Sequence, residues 1–154
     1  MSAVAADQLL LRGRHDTLSE HPSSYGEIDI ALDTFPYNGT TTTCEALWMG
    51  VPVVTLAGDR HAARVGASLL SNIQLSSLIA SSVDEYVRIA SQLASDQGEL
   101  TRLRHSLRDR ISRSPLCNAR GFARDVESAY RTLWKSWCDD QRDGRKHDTT
   151  PAAP

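Results

Sequence analysis

Two hydrophobic patterns in the first third of the chain predict neighbouring β-strands. Ile28, Ile30 and Leu32 alternate with smaller or more polar residues, and this period of two predicts a strand that Asp33 closes. Val53–Leu56 is a continuous apolar run rich in β-branched residues, which is typical of a strand buried on both faces. The two patterns lie close enough in the chain to belong to one sheet.

The segment between these strands predicts a loop followed by a short helix. Phe35–Gly39 has the composition of a turn, because proline fixes φ and the Asn-Gly pair tolerates positive φ. Thr42 followed three residues later by Glu45 is the pattern of a capping box, so the helix is expected to begin near Thr42. Gly50–Pro52 stops it. Strand, helix and strand together predict a βαβ crossover, which normally joins parallel strands.

Beyond the second strand the pattern becomes mainly helical. Apolar residues recur at helical spacing in four segments, which are Ala62–Leu70, a helix beginning at Asp84, Leu100–Ile111 and Phe122–Trp137. Two short apolar runs are weaker candidates for strands, at Leu9–Leu11 and Leu78–Ala80. We therefore predict an α/β fold in which several helices flank a small parallel sheet, as in the C-terminal part of a larger α/β domain.

Three segments are predicted along the chain. Residues 1–24 hold a partial N-terminal strand and a loop, and residues 25–138 hold the α/β lobe. Residues 139–154 are predicted to be a disordered tail, because the composition shifts there to polar, charged and proline residues.

Composition restricts the class of protein. The 154 residues are enough for one domain, and 40% hydrophobic with 23% charged residues is an ordinary globular mixture. A net charge of −2 argues against a general nucleic-acid binder. No run approaches the ~20 apolar residues of a membrane span, and the N-terminus lacks a signal-peptide pattern, so we expect a cytoplasmic protein without membrane contact. The three cysteines have no CxxC spacing and suggest neither a disulfide framework nor a zinc site.

Five arginines fall between residues 102 and 113, where they resemble a basic patch. They are Arg102, Arg104, Arg108, Arg110 and Arg113. Because they interleave with the apolar positions of a predicted helix, we interpret them as a solvated helix face.

The loop before the first helix is the candidate chemical site. In open α/β sheets, ligands bind beyond the carboxyl ends of the strands, where helix N-termini attract anions. Gly39 would let a ligand approach the backbone, and Thr40, Thr41 and Thr42 would add hydroxyl donors, so a diphosphate is the natural guest. Glu45 could accept hydrogen bonds from ribose hydroxyls. The alternative is a capping box in a polar loop without a ligand; neither a GxGxxG nor a P-loop pattern is present.

Two further residues lie near the same predicted crevice. His61 and Arg64 open the helix after the second strand. They are candidates for a phosphate or acceptor contact, and the alternative is that they are surface residues at a helix start.

The segment Asp29–Leu56 carries a specific resemblance. It reads DIALDTFPYNGTTTTCEALWMGVPVVTL and closely resembles the C-terminal catalytic lobe of the protein O-linked N-acetylglucosamine transferase family, SPINDLY-type relatives included. His61–Leu70, Asp84–Tyr86 and Ser114–Leu116 extend the resemblance to nearly the whole of the predicted lobe.

The resemblance implies a GT-B glycosyltransferase, in which two Rossmann-like lobes clamp a nucleotide sugar without needing a metal ion. In this family the loop and helix start bind the donor diphosphate, which would involve Thr40, Thr41 and Thr42 here. Animal members carry a histidine where this chain has Thr40. The ribose-binding acid of the family aligns with Glu45.

Two further positions of the family's donor site fall in the N-terminal segment. A histidine that contacts the nucleoside aligns with His21, although a solvated loop histidine is the alternative because this segment diverges. The basic residue three positions before that histidine is Leu18 here, so one donor contact is missing.

The resemblance also implies what this chain would contribute to catalysis. The family's catalytic histidine, its leaving-group lysine and its TPR repeats align with none of these residues, so no catalytic residue is assigned and we expect no turnover by the chain alone. The expected reaction is transfer of N-acetylglucosamine from UDP-N-acetylglucosamine to Ser or Thr of proteins, with acceptor binding only together with the missing lobe and TPR region. The alternatives are a SPINDLY-type fragment that uses GDP-fucose and a non-catalytic nucleotide-binding remnant.

Overall fold

Three short parallel strands form the sheet. They are β1 (Ala31–Leu32), β2 (Val53–Leu56) and β3 (Ile79–Ala80), in the order β1-β2-β3. Ala31 pairs with Val53, and Thr55 pairs with Ile79. The computed structural model describes residues 5–11 and 23–147, and the chain divides into two units, residues 1–111 and 112–154.

Within the described residues, five helices have both ends defined. They are α1 (Thr41–Trp48), α2 (Val65–Asn72), α3 (Val83–Ser95), α4 (Gln97–Ser112) and α5 (Ala119–His147). Short 3₁₀ turns occur at Ala6–Gln8, Tyr25–Glu27, His61–Ala63, Ser76–Leu78 and Pro115–Cys117. The parallel sheet and its helices confirm the predicted α/β class and the β1–α1–β2 crossover.

The core of the first unit surrounds β2. Val54 on this strand is fully buried, as are Leu47 of α1, Leu70 of α2 and both Leu103 and Leu107 of α4. Strands of two to four residues form few hydrogen bonds with one another. Burial of these side chains between the helices and the sheet therefore supplies the main stabilisation.

Helix α1 ends as the sequence predicts. Gly50 adopts a φ of 84°, and its N–H donates to the Leu47 carbonyl while the Val51 N–H donates to the Ala46 carbonyl. These two bonds form a Schellman motif, which needs a left-handed residue and therefore favours glycine.

The start of α1 differs from the prediction. The helix begins at Thr41, with Thr40 at the cap position and without a side-chain capping bond. The Glu45 carboxylate instead lies near the Tyr25 hydroxyl. The helix thus begins near Thr42 as predicted, but the predicted capping box between Thr42 and Glu45 is wrong, because Glu45 stands five residues after the cap position and not three.

The strand predictions are partly corrected. β1 has two residues where the alternation predicts five, and Ile28 and Leu32 are exposed. Alternation describes a strand with one buried face, whereas a parallel crossover strand is positioned by its flanking helices. Leu9–Leu11 is exposed and forms no strand. The weak candidate at Leu78–Ala80 is confirmed, since β3 lies within it.

Two predicted helices differ from the structure in their bounds. The helix expected over Ala62–Leu70 is a 3₁₀ turn followed by α2, with Arg64 between them. The final helix α5 continues to His147, past the predicted lobe boundary at 138. On α5 the rings of Trp134 and Trp137 are exposed and stack with their centres 5.2 Å apart.

The arginines of α4 do more than face solvent. Arg104 donates to the Ile28 carbonyl, Arg108 to the Trp48 carbonyl and Arg110 to the Ile73 carbonyl. Trp48 and Ile73 stand at the ends of α1 and α2, where main-chain oxygens lack helical partners. Arg108 is exposed and Arg104 and Arg110 are half-buried, so the predicted solvated face also donates hydrogen bonds to these main-chain oxygens. No helix in the part of the chain that the structure describes is long and apolar enough to cross a membrane.

Candidate functional site

The candidate site lies at the N-terminus of α1, just beyond the carboxyl end of β1. Thr40, Thr41 and Thr42 are exposed, whereas Thr43 is buried. The first turn of α1 contains no acidic residue, and the carboxylate that lies just before it, that of Asp33, accepts a hydrogen bond from the Gly39 N–H. The N–H groups of a first helical turn have no acceptors within the helix and can bind an anion.

Gly39 is held by its own loop. Its N–H donates to Oδ1 of Asp33 at 2.8 Å. A Cβ at this position would lie 2.7 Å from the hydroxyl oxygens of both Thr42 and Thr43. The need for glycine is therefore explained by close packing within the loop, and the N–H of Gly39 is already paired within the protein.

Asp33 is the buried centre of this loop, with 6% of its surface exposed. Its Oδ2 accepts a hydrogen bond from the Thr55 hydroxyl of β2 at 2.7 Å. Its main-chain carbonyl accepts another from the Tyr86 hydroxyl of α3 at 2.8 Å. Burial, and secondly the negative charge of Asp33, raise the pKa of Tyr86 above its usual range.

Asn38 joins the loop to the second helix of the unit. Its side-chain amide donates to the Thr34 carbonyl at 3.0 Å and accepts from the Gly66 N–H of α2 at 3.3 Å. Neither Asn38 nor Gly39 has positive φ, a property that the described residues show only at Gly50 and Gln74. The segment Phe35–Gly39 is therefore a turn as predicted, but without left-handed residues. Asn38 is held in a buried position by its side-chain hydrogen bonds.

Glu45 lies one turn into α1, beside Tyr25. The Tyr25 hydroxyl lies 3.3 Å from the Thr42 carbonyl and 3.5 Å from Oε2 of Glu45. Burial raises the pKa of Tyr25, and the charge of Glu45 adds to this effect. The sequence reasoning missed Tyr25, whose only signal is an isolated aromatic residue at the end of a polar stretch.

A cavity of about 180 Å³ opens between these elements. Tyr25, Asp33, Gly39 and Thr42 are among the residues that line it. Of the predicted residues, Gly39 and Thr42 line this cavity together with Tyr25. Thr40, Thr41 and Glu45 lie at the same end of α1 but are not among its lining residues.

Two other predicted residues also do not line this cavity. His61 is exposed in the 3₁₀ turn before α2, and Arg64 donates to the Gly58 carbonyl at 2.8 Å. His21 lies outside the described residues. Within residues 5–11 and 23–147, no group of three or more His, Cys, Asp or Glu side chains is arranged to hold a metal ion.

Comparison with protein families identifies the chain. The model of glycosyl transferase family 41 matches residues 10–126, which is most of the sequence. The chain belongs to glycosyl transferase family 41. This membership confirms the resemblance on which the sequence-based site prediction depends.

Plant members of family 41 are similar over most of this chain. The SPINDLY proteins of Solanum lycopersicum and Arabidopsis thaliana, both described as probable UDP-N-acetylglucosamine–peptide N-acetylglucosaminyltransferases, are 54% and 55% identical over 78% and 77% of it. The Arabidopsis thaliana SEC protein, with the same description, is 34% identical over 80% of it. In each case the chain spans 13% of the relative's length.

A solved structure from family 41 has the same fold. A mutant O-GlcNAc transferase of Thermobaculum terrenum matches 81% of this chain with 42% sequence identity and a TM-score of 0.75. The chain covers 24% of that protein. The parallel sheet and helices described above therefore correspond to part of a GT-B glycosyltransferase.

Proposed function

We propose that this chain supplies the donor-diphosphate half-site of a protein O-glycosyltransferase. The reaction would transfer N-acetylglucosamine from UDP-N-acetylglucosamine to Ser or Thr hydroxyls of proteins. The observation that carries the proposal is the exposed row Thr40, Thr41 and Thr42 at the start of α1, whose first turn contains no acidic residue. The nearby carboxylate of Asp33 is engaged within the protein by the Gly39 N–H and the Thr55 hydroxyl.

The chemistry expected of these residues is stabilisation of the leaving diphosphate. As the bond to the sugar breaks, negative charge develops on the diphosphate. The N–H groups and hydroxyls at the start of α1 would donate hydrogen bonds to that charge, and the helix dipole would add to the stabilisation. Glu45 would accept hydrogen bonds from the ribose hydroxyls. No bound metal is needed for this proposal, since the helix N-terminus takes the role of the cation.

The acceptor and the catalytic base are assigned to no residue of this chain. The chain covers 13% of the plant relatives and 24% of the bacterial structure, so activity, acceptor proteins and the second half of the donor site are proposed to depend on the other parts of such proteins. His21 is proposed as a nucleoside contact on the resemblance alone.

GDP-fucose is the second candidate donor. The chain is 54–55% identical to SPINDLY proteins and 34% identical to SEC, which favours the SPINDLY-type branch. The sequence resemblance implies GDP-fucose for that branch, whereas the descriptions of the plant relatives name UDP-N-acetylglucosamine. The two donors share the diphosphate and differ in the base and the sugar.

Calorimetric titration of the purified chain with UDP and, separately, with GDP tests the proposal. We expect saturable binding, weakened roughly tenfold by Thr41→Ala because a hydrogen bond to a charged group is lost. Thr101→Ala is the matched control, since Thr101 is an exposed threonine on α4 whose hydroxyl donates to the Gln97 carbonyl. The preferred nucleotide would assign the branch.

A titration that shows no nucleotide binding would contradict the proposal. If the chain is folded by circular dichroism and binds neither nucleotide at millimolar concentration, the chain is not a diphosphate half-site by itself and the proposed function fails. Equal weakening by Thr41→Ala and Thr101→Ala would place any binding elsewhere.

A further inference from the structure

Asp33 lies in the wall of the candidate site, and its carboxylate is engaged within the protein. Its carboxylate is buried, and its two oxygens are used separately: Oδ1 accepts from the Gly39 N–H at 2.8 Å and Oδ2 from the Thr55 hydroxyl at 2.7 Å. A single side chain thus ties the start of the threonine loop to the central strand β2.

The carboxylate of Asp33 is tightly packed on both sides. A Cβ at Gly66 would overlap both Oδ2 of Asp33 and the hydroxyl of Thr55. The first turn of α2 therefore closes over the carboxylate from one side, while the loop before α1 covers the other side through Gly39. A side chain confined in this way fixes the loop in one position, which is what pre-organisation of a binding site requires.

The hydrogen bond to Gly39 also decides which amides remain for a ligand. The Gly39 N–H is occupied by Asp33, and the Gly66 N–H by Asn38. Two amides close to helix starts are thus paired inside the protein, whereas the exposed threonines lie one to three positions further along the chain.

We propose that Asp33 is the positioning residue of the diphosphate half-site: its carboxylate anchors Gly39 to β2, so that the ligand is bound by Thr40–Thr42 and not by the Gly39 N–H. The inference rests on the proposed function and assigns a role to a buried residue that would not touch the ligand. It also changes the role of Gly39, which serves the geometry of the loop and is not a donor to phosphate.

The first test compares two substitutions at Asp33. Asp33→Asn keeps an oxygen able to accept from Gly39, and the Thr55 hydroxyl can rotate to accept from the new amide. We expect its nucleotide Kd within about threefold of the wild type, whereas Asp33→Ala should weaken binding by about tenfold or more, because the loop loses its anchor. Rescue by asparagine would show that hydrogen-bond geometry, and not charge, is the important property.

A control variant separates positioning from general loss of stability. Leu93→Ala shortens a buried side chain on α3 away from the loop, so it lowers thermal stability without altering Asp33. All titrations are made at a temperature where each variant is fully folded. We expect Leu93→Ala to keep the wild-type Kd, and a merely structural role for Asp33 would leave the Kd of folded Asp33→Ala unchanged as well.

A second variant and a ligand-free measurement complete the test. If Asp33→Ala does not fold, Thr55→Val removes the other hydrogen bond of the carboxylate and should weaken binding by roughly three- to tenfold. Amide exchange followed by NMR should show a protected Gly39 N–H in the wild type, with the protection unchanged when nucleotide is added. In folded Asp33→Ala or Thr55→Val this amide should exchange faster.

The outcomes distinguish the two proposals. If the wild type binds neither UDP nor GDP, the proposed function fails, and this inference fails with it. If the wild type binds and folded Asp33→Ala, or Thr55→Val in its place, binds equally well, only the role of Asp33 is overturned. A Gly39 amide that becomes newly protected or shifts strongly on nucleotide binding would likewise overturn it, because that amide would then be a ligand donor.

Discussion

Arg108 contacts Trp48 in two ways. Its Nε–H donates to the main-chain oxygen of Trp48 at 2.9 Å, and its guanidinium carbon lies 5.5 Å from the centre of the indole ring. Trp48 is the last residue of α1, so a side chain of α4 both caps the C-terminus of the helix that begins at the candidate site and covers its terminal aromatic ring. A cation at that end also complements the helix dipole.

Removal of this contact should lower stability. Arg108→Ala loses the bond to the helix end and the cation–π contact, and we expect the free energy of unfolding to fall by about 1–2 kcal/mol. The measurement is urea denaturation followed by circular dichroism. Arg102→Ala is the control on the same helix, because Arg102 pairs with Glu99 on the surface. Equal losses for the two variants would contradict a specific role of Arg108.

The left-handed end of α1 gives a second prediction. Gly50→Ala forces a side chain onto a residue with a φ of 84° and places its Cβ 2.9 Å from the Arg104 carbonyl oxygen. We expect a loss of roughly 1–3 kcal/mol in unfolding free energy. Gly26→Ala is the control, since a Cβ there meets no atom within 4 Å. A thermal melt of both variants beside the wild type tests the difference.

Tyr86, the buried tyrosine on α3, should make the stability of the folded chain depend on pH. The pKa of Tyr86 is raised in the folded chain, whereas in the unfolded chain it is about 10. The unfolded state therefore releases the proton first as pH rises, and the stabilisation from Tyr86 is present below about pH 10 and is lost above it. Tyr25 changes stability in the same direction, because its pKa is also raised.

This pH dependence is measurable by substitution. Tyr86→Phe should be less stable than the wild type by about 1 kcal/mol at neutral pH, because the bond to the Asp33 carbonyl is lost. The difference should shrink as urea denaturation is repeated from pH 8 toward pH 11. A constant difference across that range would contradict the assignment, and Tyr37→Phe, which alters an exposed tyrosine, is the control.

Glu45 can be tested separately from the threonines. If its carboxylate binds ribose, Glu45→Ala should weaken UDP binding roughly tenfold and leave the affinity for inorganic pyrophosphate unchanged, because pyrophosphate has no ribose. Glu99→Ala changes a surface carboxylate of α4 and serves as the control. Loss of affinity for both ligands would indicate that Glu45 acts on the fold of α1.

The β1–α1–β2 crossover can be predicted because the residues that indicate it are neighbours in the sequence. A β-branched run needs burial, Gly50 permits the left-handed cap, and a helix with four threonines at its start places hydroxyls beyond the end of a strand. Each of these properties depends on residues within one turn or one strand of each other, so the position of the candidate site follows directly from the order of the residues.

The contacts below the site could not be predicted in this way. The hydroxyls of Thr55 and Tyr86 reach Asp33 across 22 and 53 residues, and Tyr25 reaches Glu45 across 20. A capping box was predicted because Glu45 has the right spacing from Thr42, but the cap position of the helix is Thr40, five residues before Glu45. Similarly, Asn38 has a typical turn sequence yet is fixed by the amide of Gly66, which comes from the next helix.

The hydrogen bond between Tyr86 and Asp33 makes the loop of the candidate site depend on a helix that follows it in the chain. The threonine loop is synthesised before the helix that carries Tyr86, and contacts between distant residues form only after the intervening chain has been closed into a loop. A nascent chain that ends before residue 86 therefore contains every candidate ligand-binding threonine but lacks one of the hydrogen bonds that hold the loop against the sheet. If the proposed half-site binds a diphosphate, its loop would thus be fully held only once α3 is in place, although this helix contributes no residue to the proposed site.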